Sequence, residues 1–115
     1  TLLDAFNAEY GEGADKAFVD QTYDATFLAL LAVEKAGSTD RAKMAEALRE
    51  VAMAPGEKVG PGEWAKAVAL IKDGKDIDYD GASGSAEFDE YGDVGGCIGK
   101  FVVDGDGYKQ IAIVE

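Results

Sequence analysis

A chain of 115 residues with 23 acidic against 11 basic side chains and no histidine carries a formal charge of −12. That balance excludes a nucleic-acid binder, which needs clustered Lys and Arg to neutralise phosphates, and disfavours contact with anionic membranes. With 47% apolar and 30% charged residues the chain has the make-up of a folded domain, and its length fits one small domain over 1–115.

Leu3, Phe6 and Tyr10 recur at helical spacing and Gly11 follows, which predicts the last turns of a helix. The chain opens Thr1-Leu2-Leu3 without an initiator Met or a leader, so a mature or trimmed product is expected. A loop is predicted over 11–15. A long helix from about Ala17 to Ala36 then presents Tyr23, Phe27, Leu30 and Leu31 on one face, widened by Ala25, Ala29 and Ala32. Its longest apolar run, Ala25 to Val33, falls short of the roughly 20 residues a membrane span requires. Gly37 stops this helix, and Ser38, Thr39 and Asp40 offer N-cap oxygens to the next.

In that second helix Met44, Leu48 and Val51 form the apolar face, while Arg41, Lys43, Glu46 and Arg49 hold the other. Pro55, Gly56 and Pro61 mark a loop. A short helix then groups Trp64, Ala67, Val68 and Ile71 before Gly74. Beyond Gly84 the pattern changes to strands: Ala86 to Phe88, a turn over Glu90 to Asp93, Ile98 to Val103, and Tyr108 to Val114 after an Asp-Gly-Asp-Gly hairpin tip. Three short strands are too few to cover the long apolar helix, so a supporting sheet is expected to lie outside the chain. An uncovered helix face implies association, including a homo-oligomer.

Several features in one order carry a family resemblance. They are Tyr23-Asp24-Ala25 at the helix entry, the glycine break before Ser38-Thr39-Asp40, the acidic linker Gly74 to Gly84, and Phe88-Asp89-Glu90 continuing to Gly92-Asp93. Together they resemble the C-terminal part of periplasmic solute-binding proteins of the branched-chain amino-acid ABC importer family. The resemblance implies an α/β fold of the type 1 periplasmic binding class, with this chain as a partial domain of a two-lobed protein. The first lobe and most of the second would be absent, leaving helices followed by short strands and a C-terminal β-hairpin. It further implies a periplasmic or extracytoplasmic location, capture of an amino-acid-like solute by hinge closure, and a membrane permease as partner. A ligand-sensing regulatory domain on the same fold is the alternative. Tyr23, at the helix entry, is the one residue carried over as a ligand neighbour, its ring and hydroxyl lining the cleft. The same ring could instead pack against Phe27 in the core.

Asp76-x-Asp78-x-Asp80-Gly81-x5-Glu87 satisfies the EF-hand calcium-loop expression, a distant alternative function. The strand-like residues after Glu87 and Ser83 at the usual apolar position argue against it, and neither metal nor cofactor is expected. Cys97 stands alone, so no disulfide forms within the chain, and a buried structural thiol is expected. Without histidine, and without a Gly-x-Ser-x-Gly elbow, no enzymatic chemistry is expected either.

Overall fold

The computed structural model describes residues 1–11 and 18–114, and the expected loop over 12–15 and the helix start at Ala17 lie outside them. Helix α1 (Leu2–Tyr10) opens with a capping box in which Thr1 Oγ1 accepts from the Asp4 N–H. Helix α2 (Val19–Ala36) ends at Gly37, whose φ of 56° supplies the left-handed C-cap that a side chain would strain. Helix α3 (Arg41–Ala52) follows at once, because Asp40 Oδ1 accepts from the N–H groups of Ala42 and Lys43. Charged Arg41, Lys43, Glu46 and Arg49 face solvent, whereas Val51 is fully buried and Met44 and Leu48 are half-buried.

Strand β1 (Glu57–Val59), helix α4 (Trp64–Lys72) and strand β2 (Ile77–Gly81) make a β-α-β unit in which β2 runs parallel to β1. Strand β3 (Gly84–Ser85) returns antiparallel on the other side of β2, giving the order β1-β2-β3. This small sheet corrects the expectation that the chain has none to offer α2. Strand β2 lies in the stretch read as an acidic linker, and its Ile77 and Tyr79 are both essentially inaccessible.

The core gathers Phe27, Leu28 and Leu31 of α2, Val51 of α3, Val59, Leu70, Ile77 and Tyr79. Phe27 sits at its centre, stacked on Tyr79 at 5.0 Å and edge-on to Trp64 at 5.6 Å. The buried stripe of α2 runs through positions 24, 27, 28, 31 and 32, so Leu30, Ala25 and Ala29 lie outside it, contrary to expectation. Within the described residues the chain thus holds a mixed helix and strand architecture of the α/β kind.

Past β3 the segment expected as a strand over 86–88 makes only an antiparallel bridge, Phe88 with Val94. Asp89 shapes the intervening turn, its Oδ1 accepting from the N–H groups of Tyr91 at 2.8 Å and Asp93 at 2.9 Å. Arg49 anchors it to α3, donating to the Asp89 carbonyl and lying over the Phe88 ring. Strands β4 (Ile98–Asp104) and β5 (Gly107–Val114) then form the expected hairpin, with every described residue exposed. Cys97 at its base is exposed as well, which corrects the expected burial: among the described residues none covers the hairpin root. No helix among the described residues is long and apolar enough to cross a membrane.

Candidate functional site

The carboxyl ends of β1 and β2 point the same way because the strands are parallel, and the chain leaves them through Gly60-Pro61-Gly62 and Ala82-Ser83. In open α/β sheets this edge is where ligands are received, since the loops there spread apart while the strands below hold them in place. Two side chains from the start of α2 fix these loops.

Asp24 lies in the core phase of α2 and is only 6% exposed. Its carboxylate is filled by four donors. Oδ1 accepts from the Tyr79 hydroxyl at 2.7 Å and the Ala82 N–H at 2.9 Å, and Oδ2 from the Ser83 N–H at 2.7 Å and the Ser83 hydroxyl at 2.6 Å. Burial pushes this carboxyl up, but the bonds from Ser83, Tyr79 and Ala82 outweigh it and hold the group below its ordinary value. Tyr79 moves the other way, because burial and its bond to the Asp24 carboxylate both oppose ionisation. Gly81 is required by this packing: a Cβ there would lie 2.5 Å from Asp24 Oδ2.

Tyr23 packs in the way given as the alternative to a ligand neighbour, and it also reaches a loop. Its ring stacks on Phe27 at 5.7 Å, and its hydroxyl accepts from the Gly62 N–H at 3.0 Å, pinning the loop after β1. As an acceptor there, the phenol keeps its own proton for a further partner. Beside it opens a cavity of about 820 Å³, walled by Asp20 and Tyr23 of α2, by Pro61 and Gly62 after β1, and by Ala82 after β2. The start of the chain and the first turns of α1 border it with Thr1, Leu2, Leu3 and Ala5. A space of this size suits a small molecule.

The calcium reading of Asp76 to Glu87 is overturned by where those carboxylates go. Asp76 pairs with Lys35 at 3.4 Å, Asp80 with Lys58 at 3.3 Å, and Glu87 accepts from the Ala54 N–H at 3.2 Å. Asp78 is buried within β2. An EF-hand loop wraps these positions around one ion, whereas here Asp76, Asp80 and Glu87 each bond to a different group and Asp78 and Asp80 lie in an extended strand. Among the described residues no group of three or more His, Cys, Asp or Glu is placed to hold a metal.

Sequence reasoning missed Asp24 as the organising group, although a signal existed. An acidic residue in phase with Phe27, Leu28 and Leu31 must be buried with its donors or force the helix to turn.

Comparison with known proteins gives one partial likeness. Over 70 residues the chain is 33% identical to the chemotactic signal transduction system substrate-binding protein BasB of Halobacterium salinarum. The match covers 61% of this chain and 17% of that protein, so it spans a small part of its relative. No family model matches, and no solved structure does. The chain is therefore similar to part of a substrate-binding protein, which is consistent with a ligand-binding role.

Proposed function

We propose that the chain is part of an extracytoplasmic receptor that captures a small, amino-acid-like solute without chemical change, in the cavity at the carboxyl ends of β1 and β2. The observation that carries this is the convergence of three separate elements on that space. Tyr23 holds the loop after β1, Asp24 holds the loop after β2, and α1 stands across the opening. Such a cavity is assembled before any ligand arrives, so binding need not meet the cost of ordering its loops.

Among the described residues the wall includes no Cys, Lys or Arg side chain, and the sequence has no histidine, which supports capture without catalysis. The further reading, in which a second lobe closes over the ligand, is supported by the β4–β5 hairpin. Phe101, Val102, Ile111 and Ile113 are all exposed, as expected of an element covered by more protein than the 115 residues contain.

Two receivers of the closed state can be distinguished. The role of the relative in chemotactic signal transduction favours a signalling partner, while the resemblance to importer receptors favours a membrane permease. Either partner would recognise the ligand-bound shape.

Trp64 provides the test. It is the single tryptophan, it abuts Phe27, and it stands two positions after Gly62 of the wall. Titrating the intact chain with the standard amino acids should change its fluorescence saturably for a subset, and Ala82→Phe, which sets a ring into the cavity, should abolish the change. A flat response to every amino acid, or a response unaltered in A82F, would remove the proposal.

A further inference from the structure

The two sheets differ at their outer edges. Glu57 of β1 turns its N–H to the Asp76 carbonyl, so the alternate residue Lys58 faces outward, and there Lys66 Nζ donates to the Lys58 carbonyl at 2.7 Å. That edge is capped. Strand β4 pairs with β5 on one side only, all of its residues are exposed, and among the described residues no third strand joins it. The tip Gly105-Asp106 has two residues, with Gly105 at φ 61°, which makes Asp104 and Gly107 the hydrogen-bonded closing pair. Alternation then turns the N–H and C=O groups of Phe101 and Val103 to the open edge, where they can receive another strand.

The side chains specify which strand. Residues 97–114 hold two lysines against two aspartates, whereas residues 1–96 hold nine basic side chains against 20 acidic ones, so like bodies repel and like ribbons do not. Laid antiparallel on itself about Val102, β4 sets Lys100 opposite the second copy's Asp104, and Asp104 opposite its Lys100. Phe101 and Val103, the residues with outward backbone groups, then face each other in register. Within the ribbon neither charge has an opposite partner, because Lys100 faces Ala112 and Asp104 faces Gly107. Centring the pairing on Phe101 instead sets Lys100 against Val102 and Asp104 against Ile98, and both charge pairs are lost. Strand β5 offers no such match, since Gly107–Val114 has no acidic residue to face Lys109.

We infer that β4 is a self-recognition edge through which two copies of the chain join about a two-fold axis, forming a four-stranded antiparallel sheet in the order β5-β4-β4-β5. The ribbon, marginal as two strands, gains a second pair. Two-fold symmetry repeats every contact, so each charge pair is made twice. The inference is independent of the cavity, and it leaves both faces of the ribbon open.

Sedimentation equilibrium of the intact chain with a charge-swap cycle tests it. Wild type should show a reversible monomer–dimer equilibrium. Lys100→Glu and Asp104→Lys each set like charges face to face twice and should weaken the dimer about 10-fold or more, while the double variant should restore it. Both side chains are exposed, so an unchanged circular-dichroism spectrum should show each variant folded. Register is read separately, in a Cys97→Ser background that removes the native thiol. Val102→Cys should oxidise to a covalent dimer, because Val102 meets its own copy in a non-hydrogen-bonded pair where side chains lie close, whereas Val103→Cys, facing Phe101, should not. A wild type that stays monomeric to millimolar concentration, a double variant as weak as the single ones, or cross-linking no faster at 102 than at 103 would overturn the inference.

Discussion

The α/β body from α2 to β3 and the β4–β5 hairpin are both rich in branched and aromatic side chains, yet only the body buries them. Leu31, Val51, Val59 and Tyr79 are completely inaccessible, while Tyr108 is 80% and Ile98 71% exposed. The body gains stability from apolar burial and from the filled Asp24 carboxylate, whereas the hairpin rests on its own ladder and turn. A two-stranded ribbon alone is marginal in water. Site-building and partner-seeking parts of the molecule are thereby separated: the cavity is framed by residues up to Ala82, and the hairpin contributes none of its wall.

The difference can be broken or sharpened by substitution. Leu31→Ala in the body should lower stability by about 2–5 kcal/mol in urea unfolding, because it opens a void in a closed core. Asp24→Asn should cost about 2–4 kcal/mol, since an amide can accept from Tyr79 but turns a donor toward the Ser83 N–H and hydroxyl. Gly81→Ala should destabilise in the same direction by crowding that carboxylate. Tyr79→Phe, which removes one donor and little packing, should cost about 1.5 kcal/mol. The smallest effect belongs to the hairpin: Val103→Ala and Tyr108→Ala should stay within about 0.5 kcal/mol. A loss at Tyr108 as large as that at Leu31 would mean the two regions fold as one.

The pH dependence follows the body alone. Asp24 has its folded value held below its ordinary 3.8, so its contribution is complete above that pH and is lost as pH falls through the depressed value. Tyr79 has its folded value raised, so its contribution is complete below its ordinary 10.0 and declines as pH rises beyond it. Thermal melts should show an acid limb that Asp24→Asn flattens and an alkaline limb that Tyr79→Phe flattens.

Local signals made much of this fold legible. Gly37 and Asp40 delimit α2 and α3 because a left-handed cap and an N-cap oxygen act over a few residues. The Asp-Gly tip located the hairpin for the same reason. Strand β2 was obscured because Asp78 and Asp80 alternate with Ile77 and Tyr79, and the carboxylates suggested a solvated linker. Its pairing with β1, some 20 positions earlier, is a long-range fact. Leu28 and Leu30 are equally apolar, and only the position of the sheet decides which one is buried. Cys97 could be placed only by knowing what packs around the hairpin root. Of the candidate site, Tyr23 could be singled out from its place at the helix entry, whereas the cavity depends on three elements meeting, which no local pattern announces.

The central claim is that the loops held by Tyr23 and Asp24 at the carboxyl ends of β1 and β2 receive a small solute. A two-dimensional nitrogen–proton NMR titration of the intact chain with the standard amino acids tests it directly. Saturable shifts confined to the amides of Asp20, Tyr23, Gly62 and Ala82, with Lys100 to Val103 unmoved, are the predicted result. Shifts centred on the hairpin, or none that saturate, would contradict it.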